Sequence, residues 1–438
     1  MLVVVLLRNF KNVFLVSELR KKVLFTLGIL ALCRFGAHIP IPGIDEVRLL
    51  QFMNNAASGF LGYLNLISGG ALTRFSIFAL GISPYITASI MMQVLTMVVP
   101  SLEALHKEGD YGRRIINQYT RYLTLLLSLI QSFWLILYAE NQNLAIAPGW
   151  SFRLTGMLVM SVGALFVMWL GEQIGAHGIG NGSSMIIFGG IVADLPGAIW
   201  RVISDIRLGQ FEPLLGLLLI AITIAVTACV IFLEKGERKI PVQYARRIVG
   251  NKIYSAQSSY IPFRLNTANV IPVIFAGSII TLPMMLSNLL AKKFQFFSGL
   301  SEWVTPRGLI YDVLMVFLII FFAYFYTAVI INPEELSENL KKSGGFVPGI
   351  RPGRKTAEFF NYVLTRVCFP GAIYLATLVI LPDILAAIFH FPALFGGTGL
   401  LITVGVAMDT SAQVESYLIE RRYEGFLSTG RLRTRYGR

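Results

Sequence analysis

The sequence predicts an all-α polytopic membrane protein, with ten transmembrane helices in two inverted five-helix halves. Three observations lead there. The 438 residues are 55% hydrophobic and 14% charged, with mean hydropathy +0.67; a soluble chain of this size is near a quarter charged. Apolar runs long enough to cross a bilayer, which takes ~20 helical residues, recur ten times, at 23–39, 75–99, 119–139, 154–171, 183–203, 213–233, 268–290, 309–331, 366–390 and 396–418. The basic residues are segregated: alternate loops put 28 Lys and Arg on the side of the termini and eight on the other, with Arg34 inside a span. Basic loops stay cytoplasmic, so both termini are expected there. Five spans per half invert one half relative to the other, a plan common among membrane transport proteins. The expected halves are 1–212 and 213–438.

Taken in order, the chain opens on a short apolar stretch, Met1 to Leu7, followed rather than preceded by Arg8 and Lys11, so no cleavable signal peptide is expected. Span one carries Arg34 near its outer end, where a long basic side chain is expected to snorkel to the interface. The stretch Phe60 to Gln93 is irregular. Phe60 to Ile67 is apolar but too short to span, the chain breaks at Ser68-Gly69-Gly70, and a second apolar run starts at Phe75, interrupted by Gly81 and Pro84. It reads either as a surface amphipathic helix before an ordinary span, or as a helix that enters the membrane and turns back. Irregular backbone at that depth is tolerated only inside protein or along a water-filled cavity, so the second reading implies a transport path. Span five opens on Gly178-Ile-Gly-Asn-Gly182.

Two cytoplasmic loops are longer than connectors need to be. Loop 234–264 carries Lys239, Arg246 and Arg247, and alternates apolar and polar residues from Arg238 to Tyr244, as a strand-like hairpin does. Loop 332–366 carries Lys341, Lys342, Arg351 and Arg354, with a turn-rich tip over Gly344 to Gly353 that holds Arg351 between Ile350 and Pro352. They read either as solvated charged loops or as docking surfaces for a large cytoplasmic partner with an acidic or RNA surface. The net charge of +13 is otherwise largely a topology signal.

The interior of the spans is sparse in chemistry. The central parts of spans two to nine are expected to hold essentially no Asp, Glu, Lys or Arg, groups that ion- and proton-coupled carriers need. Arg34 and Asp409 are the candidates, with Asp409 expected to serve helix packing or the interface. His38, His106, His177 and His390 are scattered without metal-ligand spacing, and Glu172 and His177 are too weak a pair to make a site. Cys33, Cys229 and Cys368 lie far apart, in or at the edge of apolar runs, and suggest no disulfide or zinc. Gly178 to Gly182 lacks the lysine and preceding strand of a phosphate loop. No catalytic residue, metal or cofactor is expected. What recurs is isoleucine beside glycine or proline. Ile82 and Ile86 flank Pro84, and Ile187 and Ile191 follow the glycine-rich opening of span five, each pair sharing a helix face at i, i+4. Ile274 follows Pro272, and Ile402 follows Gly396, Gly397 and Gly399. These are packing or lipid-facing residues, or an aliphatic constriction that seals by excluding water.

Seven segments, in their order and spacing, resemble the SecY family of bacterial protein translocases from end to end: His38-Ile-Pro-Ile-Pro-Gly-Ile-Asp45, Gly69-Gly70-Ala71, Ser76 to Ser89, Leu102-Glu103 with Lys107-Glu-Gly109, Arg113 to Tyr122, Gly178 to Gly182, and Phe346 to Gly353. The resemblance implies an hourglass channel in the bacterial inner membrane. It would pass unfolded polypeptide across, release signal sequences and transmembrane helices sideways into the lipid bilayer, and be driven by SecA or the translating ribosome. It implies a pore ring of Ile82, Ile86, Ile187, Ile191, Ile274 and Ile402. It implies a plug over about 60–74, including Phe60, Leu61, Leu64, Leu66, Ile67, Gly69 and Gly70. A lateral gate between spans two and three and spans seven and eight would use Thr87, Ile90, Gln93 and Leu282. SecA, the ribosome and its rRNA would meet Lys239, Arg246, Arg247, Lys341, Lys342, Arg351 and Arg354, and SecE and SecG would be small membrane partners. Ser83, and Ser183-Ser184 after Gly182, depart from the family's more usual apolar residues, which leaves the register of Ile187 and Ile191 open. The competing classes are a small-solute carrier of inverted repeats, which the sparse intramembrane charge and the two long loops oppose, and a membrane scaffold, which needs no broken second unit.

Overall fold

Hydropathy marks where a chain meets lipid, whereas capping marks where a helix ends, and the two differ here. The computed structural model describes residues 16–45, 48–49, 68–209, 213–244, 247–249, 252–254, 258–267, 270–290, 309–389 and 397–429. Its long helices are α1 (Ser17–Gly36), α2 (Ser83–Val98), α4 (Asp110–Asn141), α5 (Trp150–His177), α6 (Gly182–Arg207), α7 (Pro213–Glu234), α8 (Ile271–Leu290), α9 (Leu309–Ile330), α11 (Arg354–Phe389) and α12 (Gly397–Thr429), with short α3 (Pro100–Lys107) and α10 (Pro333–Lys342) between them. Each predicted apolar run overlaps one long helix. Among the described residues six helices are long and apolar enough to cross a membrane, and the bent pair α2–α3 makes a seventh if counted as one span. On the expected cytoplasmic side several helices outrun their apolar runs. α4 starts at Asp110, behind Gly109 at φ +75°, and α11 starts at Arg354, behind Gly353 at φ +102°.

The second apolar run departs from its expected form. It is not helical from Phe75: the helix starts only at Ser83. Phe75 sits at φ +45° and Gly81 at φ +54°, conformations that interrupt a right-handed helix. Pro84 has no amide to donate, so it suits a first helical turn. At the other end Val99 is extended ahead of Pro100, as a residue before proline prefers, and α3 leaves at 99° to α2.

The chain divides into two compact units, 1–196 with 406–438, and 197–405; α6 and α12 contribute to both. In the first unit α4 and α5 are tied at both ends by bidentate pairs. Arg121 donates to Glu172 at 2.9 and 2.9 Å, and Arg153 to Glu140 at 2.7 and 3.1 Å. Midway, the Ser132 and Ser161 hydroxyls meet at 3.0 Å. In the second unit Phe275 of α8 packs edge-on against Phe322 and Tyr326 of α9, and Ala323 of α9 packs with Cys368 and Ala372 of α11. α7 is the most exposed of the apolar helices, presenting Leu214, Leu217, Ile224 and Phe232 outward, a surface suited to lipid or to an apolar partner helix.

Candidate functional site

The residues singled out from the sequence fall in two places. The first is the turn between α1 and α2, in the first unit. The chain from Ser68 to Gly81 is a series of tight turns with Gly69 at φ +64° and Gly70 at φ +78°. It is buried: Ala71, Leu72, Phe75 and Ser76 are almost completely enclosed. Phe75 holds a conformation that costs an aromatic residue about 1–2 kcal/mol. Its carbonyl accepts the Ile41 amide at 3.0 Å, and the Ile77 amide donates to the Ile39 carbonyl at 3.0 Å. The His38–Asp45 segment therefore clamps the turn from outside the helices.

Glycines let neighbouring backbones approach this turn. A Cβ on Gly69 would lie 2.5 Å from the Gly190 Cα of α6, and one on Gly163 of α5 would lie 2.0 Å from the Ile77 carbonyl oxygen. Arg34 of α1 reaches in as well. It donates to the Gly69 carbonyl oxygen, and through Nη2 to Asp194 Oδ1 of α6 at 2.9 Å. Two expectations are corrected here. Arg34 does not snorkel free but enters an ion pair. Asp194 stands near the middle of the 183–203 run, against the expectation of essentially no charge in the central parts of spans two to nine. A simple scan of that run for acidic residues would have found it; its partner, 160 positions away in the chain, was beyond reach of sequence reasoning.

Four of the ring residues belong to this unit. Ile82 is 1% exposed, Ile86 9%, Ile187 1% and Ile191 6%, so none of the four faces lipid. The register of α6 is set by Asn181, whose Oδ1 accepts the Ser183 amide at 3.2 Å, the Ser183 hydroxyl at 2.7 Å and the Ser184 amide at 3.5 Å. The capping group is Asn181; the two amides are bonds any residue would donate, and only the Ser183 hydroxyl adds one that an aliphatic residue could not. Thr87 and Ile90 lie buried on α2, and Gln93 is half-buried beside them. Glu172 is taken up by Arg121, while His177 stands edge-on to Phe25. Phe60, Leu61, Leu64, Leu66 and Ile67 lie outside the described residues.

The second place is in the second unit, and it joins the two basic loops. β1 (Glu237–Tyr244) pairs antiparallel with β4 (Ser258–Arg264) on one edge and with β5 (Gly345–Phe346) on the other, in the order β4-β1-β5; β2 (Arg247–Val249) and β3 (Lys252–Tyr254) form a separate hairpin. The expected hairpin is present, but the pairing of Gln243 with Phe346 across some hundred residues was not legible. Ile240, Val242 and Phe263 of the sheet share a core with Leu340, Val347, Phe360, Val363, Leu364 and Val367. The loops are therefore one folded platform rather than two solvated segments.

Its rim carries the basic side chains. Lys239 pairs with Glu237 at 3.2 Å and lies 4.7 Å from the Tyr260 ring centre. The hydrogen bond to Glu237 is the main cause that raises its pKa, so the ammonium stays charged at neutral pH. Lys341 and Lys342 close α10, opposite its acidic first turn and its Asn332 cap, which suits the helix dipole. The tip is fixed from beneath: the Ile350 amide donates to the Val347 carbonyl at 3.1 Å, the Thr356 hydroxyl to the Arg351 carbonyl at 2.9 Å, and the Ser337 hydroxyl to the Gly353 carbonyl at 2.7 Å. The Arg351 side chain is exposed, and Arg354 projects outward near Glu358 at 3.5 Å. Arg246 lies outside the described residues, as do the side chains of Arg247 and Leu282. Ile402 is buried in α12 and Ile274 half-buried in α8; Val270, just before α8, packs against Gly405 of α12.

Comparison with known proteins matches residues 76–411 to the SecY family. The protein translocase subunit SecY of Thermus thermophilus is 45% identical over 444 residues, covering 98% of this chain and all of that protein. The subunit of the same name from Escherichia coli K12 is 44% identical over 428 residues, covering 96% of each. Among solved structures the fold is similar to a protein-conducting channel, with TM-score 0.65 at 17% identity over 91% of this chain and 92% of that chain. It is also similar to Sec61 in the canine ribosome-channel complex from the endoplasmic reticulum, with TM-score 0.62 at 17% identity over 91% and 92%.

Proposed function

The chain belongs to the SecY family, and from that premise we propose how this multi-pass membrane protein works as a protein-conducting translocation channel. Ten helices cross the bacterial inner membrane in two inverted halves joined near residue 212, with both termini in the cytoplasm and an hourglass pore between the halves. Ile82, Ile86, Ile187, Ile191, Ile274 and Ile402 form its constriction. Aliphatic side chains seal an idle pore by excluding water, and they part around a passenger of any sequence because they offer it no charge to bind. The segment of about 60–74 is the plug, hinged at Gly69-Gly70. Thr87, Ile90, Gln93 and Leu282 line the lateral gate. The channel is passive and catalyses no reaction of its own.

The platform docks the partner that drives transport, SecA or the ribosome with its rRNA, through Lys239, Arg246, Arg247, Lys341, Lys342, Arg351 and Arg354. A folded base with outward basic groups suits an acidic or phosphate-bearing surface, because the groups are held in place before contact. SecE and SecG would cover exposed apolar helix faces.

The observation that supports this reading is that four of the six isoleucines are buried in the same unit as the irregular Ser68–Gly81 backbone, where Gly69 meets Gly190 of α6. A neck of aliphatic side chains beside a hinged turn, with the nearby Asp194 carboxylate paired to Arg34, suits a passive polymer channel better than an ion-coupled carrier. The test is reconstitution of the chain with its small subunits in vesicles, adding SecA, ATP and a secretory precursor. The expected result is precursor that becomes resistant to added protease. Precursor that stays fully accessible while SecA binds normally would overturn it.

A further inference from the structure

At its Ser68–Gly70 end, the turn that follows the proposed plug meets α6 through a glycine contact and two charged residues. Gly69 touches α6 backbone to backbone at Gly190, so no side chain is buried in that contact. A small cavity of about 40 Å³ lies beside it, bounded by Leu30, Arg34, Ser68, Gly69 and Gly190, so packing there is incomplete. The directional hold is Arg34, whose guanidinium joins the Gly69 carbonyl to the Asp194 carboxylate at 2.9 Å. Gly70 faces the same carboxylate: a Cβ there would lie 3.1 Å from both Asp194 oxygens. The absence of a side chain at position 70 leaves room for it.

Asp194 stands three residues after Ile191 and seven after Ile187, so all three share one face of α6. The same stretch of helix thus presents two ring isoleucines and the carboxylate that Arg34 uses to grip the turn. The side chains of Arg34 and Asp194 are 29% and 40% exposed. On the reading of this face as pore wall, that exposure is to water, and a pair of this kind contributes modestly and can be broken; a fully buried one would be costly to part.

We propose that Arg34 and Asp194 form a latch that couples the Ser68–Gly70 turn to the pore wall. Movement of α6 that withdraws Ile187 and Ile191 also withdraws Asp194, which loosens Arg34 from the Gly69 carbonyl and frees the turn. Closing α6 restores the bridge. The two residues are positioning residues: they touch no passenger and set how readily the turn is released. This rests on the reading of Ile187 and Ile191 as pore wall and of the segment before Ser68 as the plug.

The test uses the full chain with its small subunits in proteoliposomes. Two quantities are read: hydrogen exchange of the 68–76 backbone and ion leak through the idle channel. Asp194→Asn keeps the shape of the side chain and removes its charge. It is expected to raise exchange across 68–76, and leak with it, by about threefold to tenfold, the range for loss of a partly exposed charge-assisted bond. The neutral double variant Arg34→Gln with Asp194→Asn leaves no uncompensated charge, and it stands as the test should the single variant insert poorly. A latch requires the double variant to exchange and leak as the single one does. If the double variant is as tight as the unaltered chain, the pair merely neutralises an intramembrane charge and the latch is refuted. Deletion of residues 60–67 separates the premise from the proposal. Leak on deletion with unchanged exchange in Asp194→Asn rejects the latch and keeps the plug, whereas faster exchange in Asp194→Asn with no leak on deletion keeps the latch and rejects the plug.

Discussion

The two-loop platform and the turn at Ser68–Gly81 are both irregular segments between long helices, yet they are stabilised in opposite ways. The platform has its own apolar core, around Phe360 and Phe263, whose rings lie 5.7 Å apart, and a three-stranded sheet closes it. Its charges face outward and contribute little to folding. The turn is enclosed by its neighbours, held by glycine–backbone contacts, a strained Phe75 and an ion pair. The platform is rigid from within, as the proposed docking surface needs; the Ser68–Gly70 end of the turn is fixed by contacts that separate without exposing a core, as the proposed plug hinge needs.

Substitutions can break that contrast. The largest effect is expected from Phe360→Ala, since deleting a fully buried aromatic costs about 3–5 kcal/mol. Hydrogen exchange should show protection lost across 237–244 and 258–264 together; loss in one loop alone would mean the loops do not share a core. Gly69→Val should cost about 3 kcal/mol, from a branched side chain at positive φ and overlap with α6, read as a lowered unfolding temperature of the complex. Gly344→Ala is the sharper control. Gly344 also has positive φ, +76°, but nothing lies within reach of an added Cβ, so about 1 kcal/mol is expected. Equal effects at the two glycines would mean that close backbone approach is unimportant at the turn. Arg351→Glu should change stability by less than about 0.5 kcal/mol while weakening SecA or ribosome binding about tenfold, as reversal of an interface charge does. Unchanged binding would remove Arg351 from the docking surface.

The two regions also differ in how far the sequence revealed them. Period-2 alternation over Arg238 to Tyr244 announced the strand, because β1 is half-exposed and its pattern survives. Its pairing with Gly345–Phe346 left no trace, since two residues are too few to carry a period. At the turn, the glycines and Pro84 disclosed the break in the helix, but hydropathy blurred where α2 begins: the apolar residues from Phe75 to Ile82 are buried in turns, and burial alone looks the same in a turn and in a span. Asp194 was hidden by the same averaging, one acidic residue in an apolar run. The isoleucines were visible by spacing, and their burial at Ile82, Ile86, Ile187 and Ile191 separates them from lipid-facing residues.

The most direct test of the channel is to ask what a passenger touches. A secretory precursor is trapped in mid-translocation, and photoreactive probes are placed singly at Ile86, Ile274 and Ile402, with control probes at Leu217 and Phe232 on the exposed face of α7. Passage through an isoleucine neck predicts crosslinks to the precursor from all three pore positions and none from the controls. Crosslinks from the α7 controls with none from the three isoleucines would contradict it.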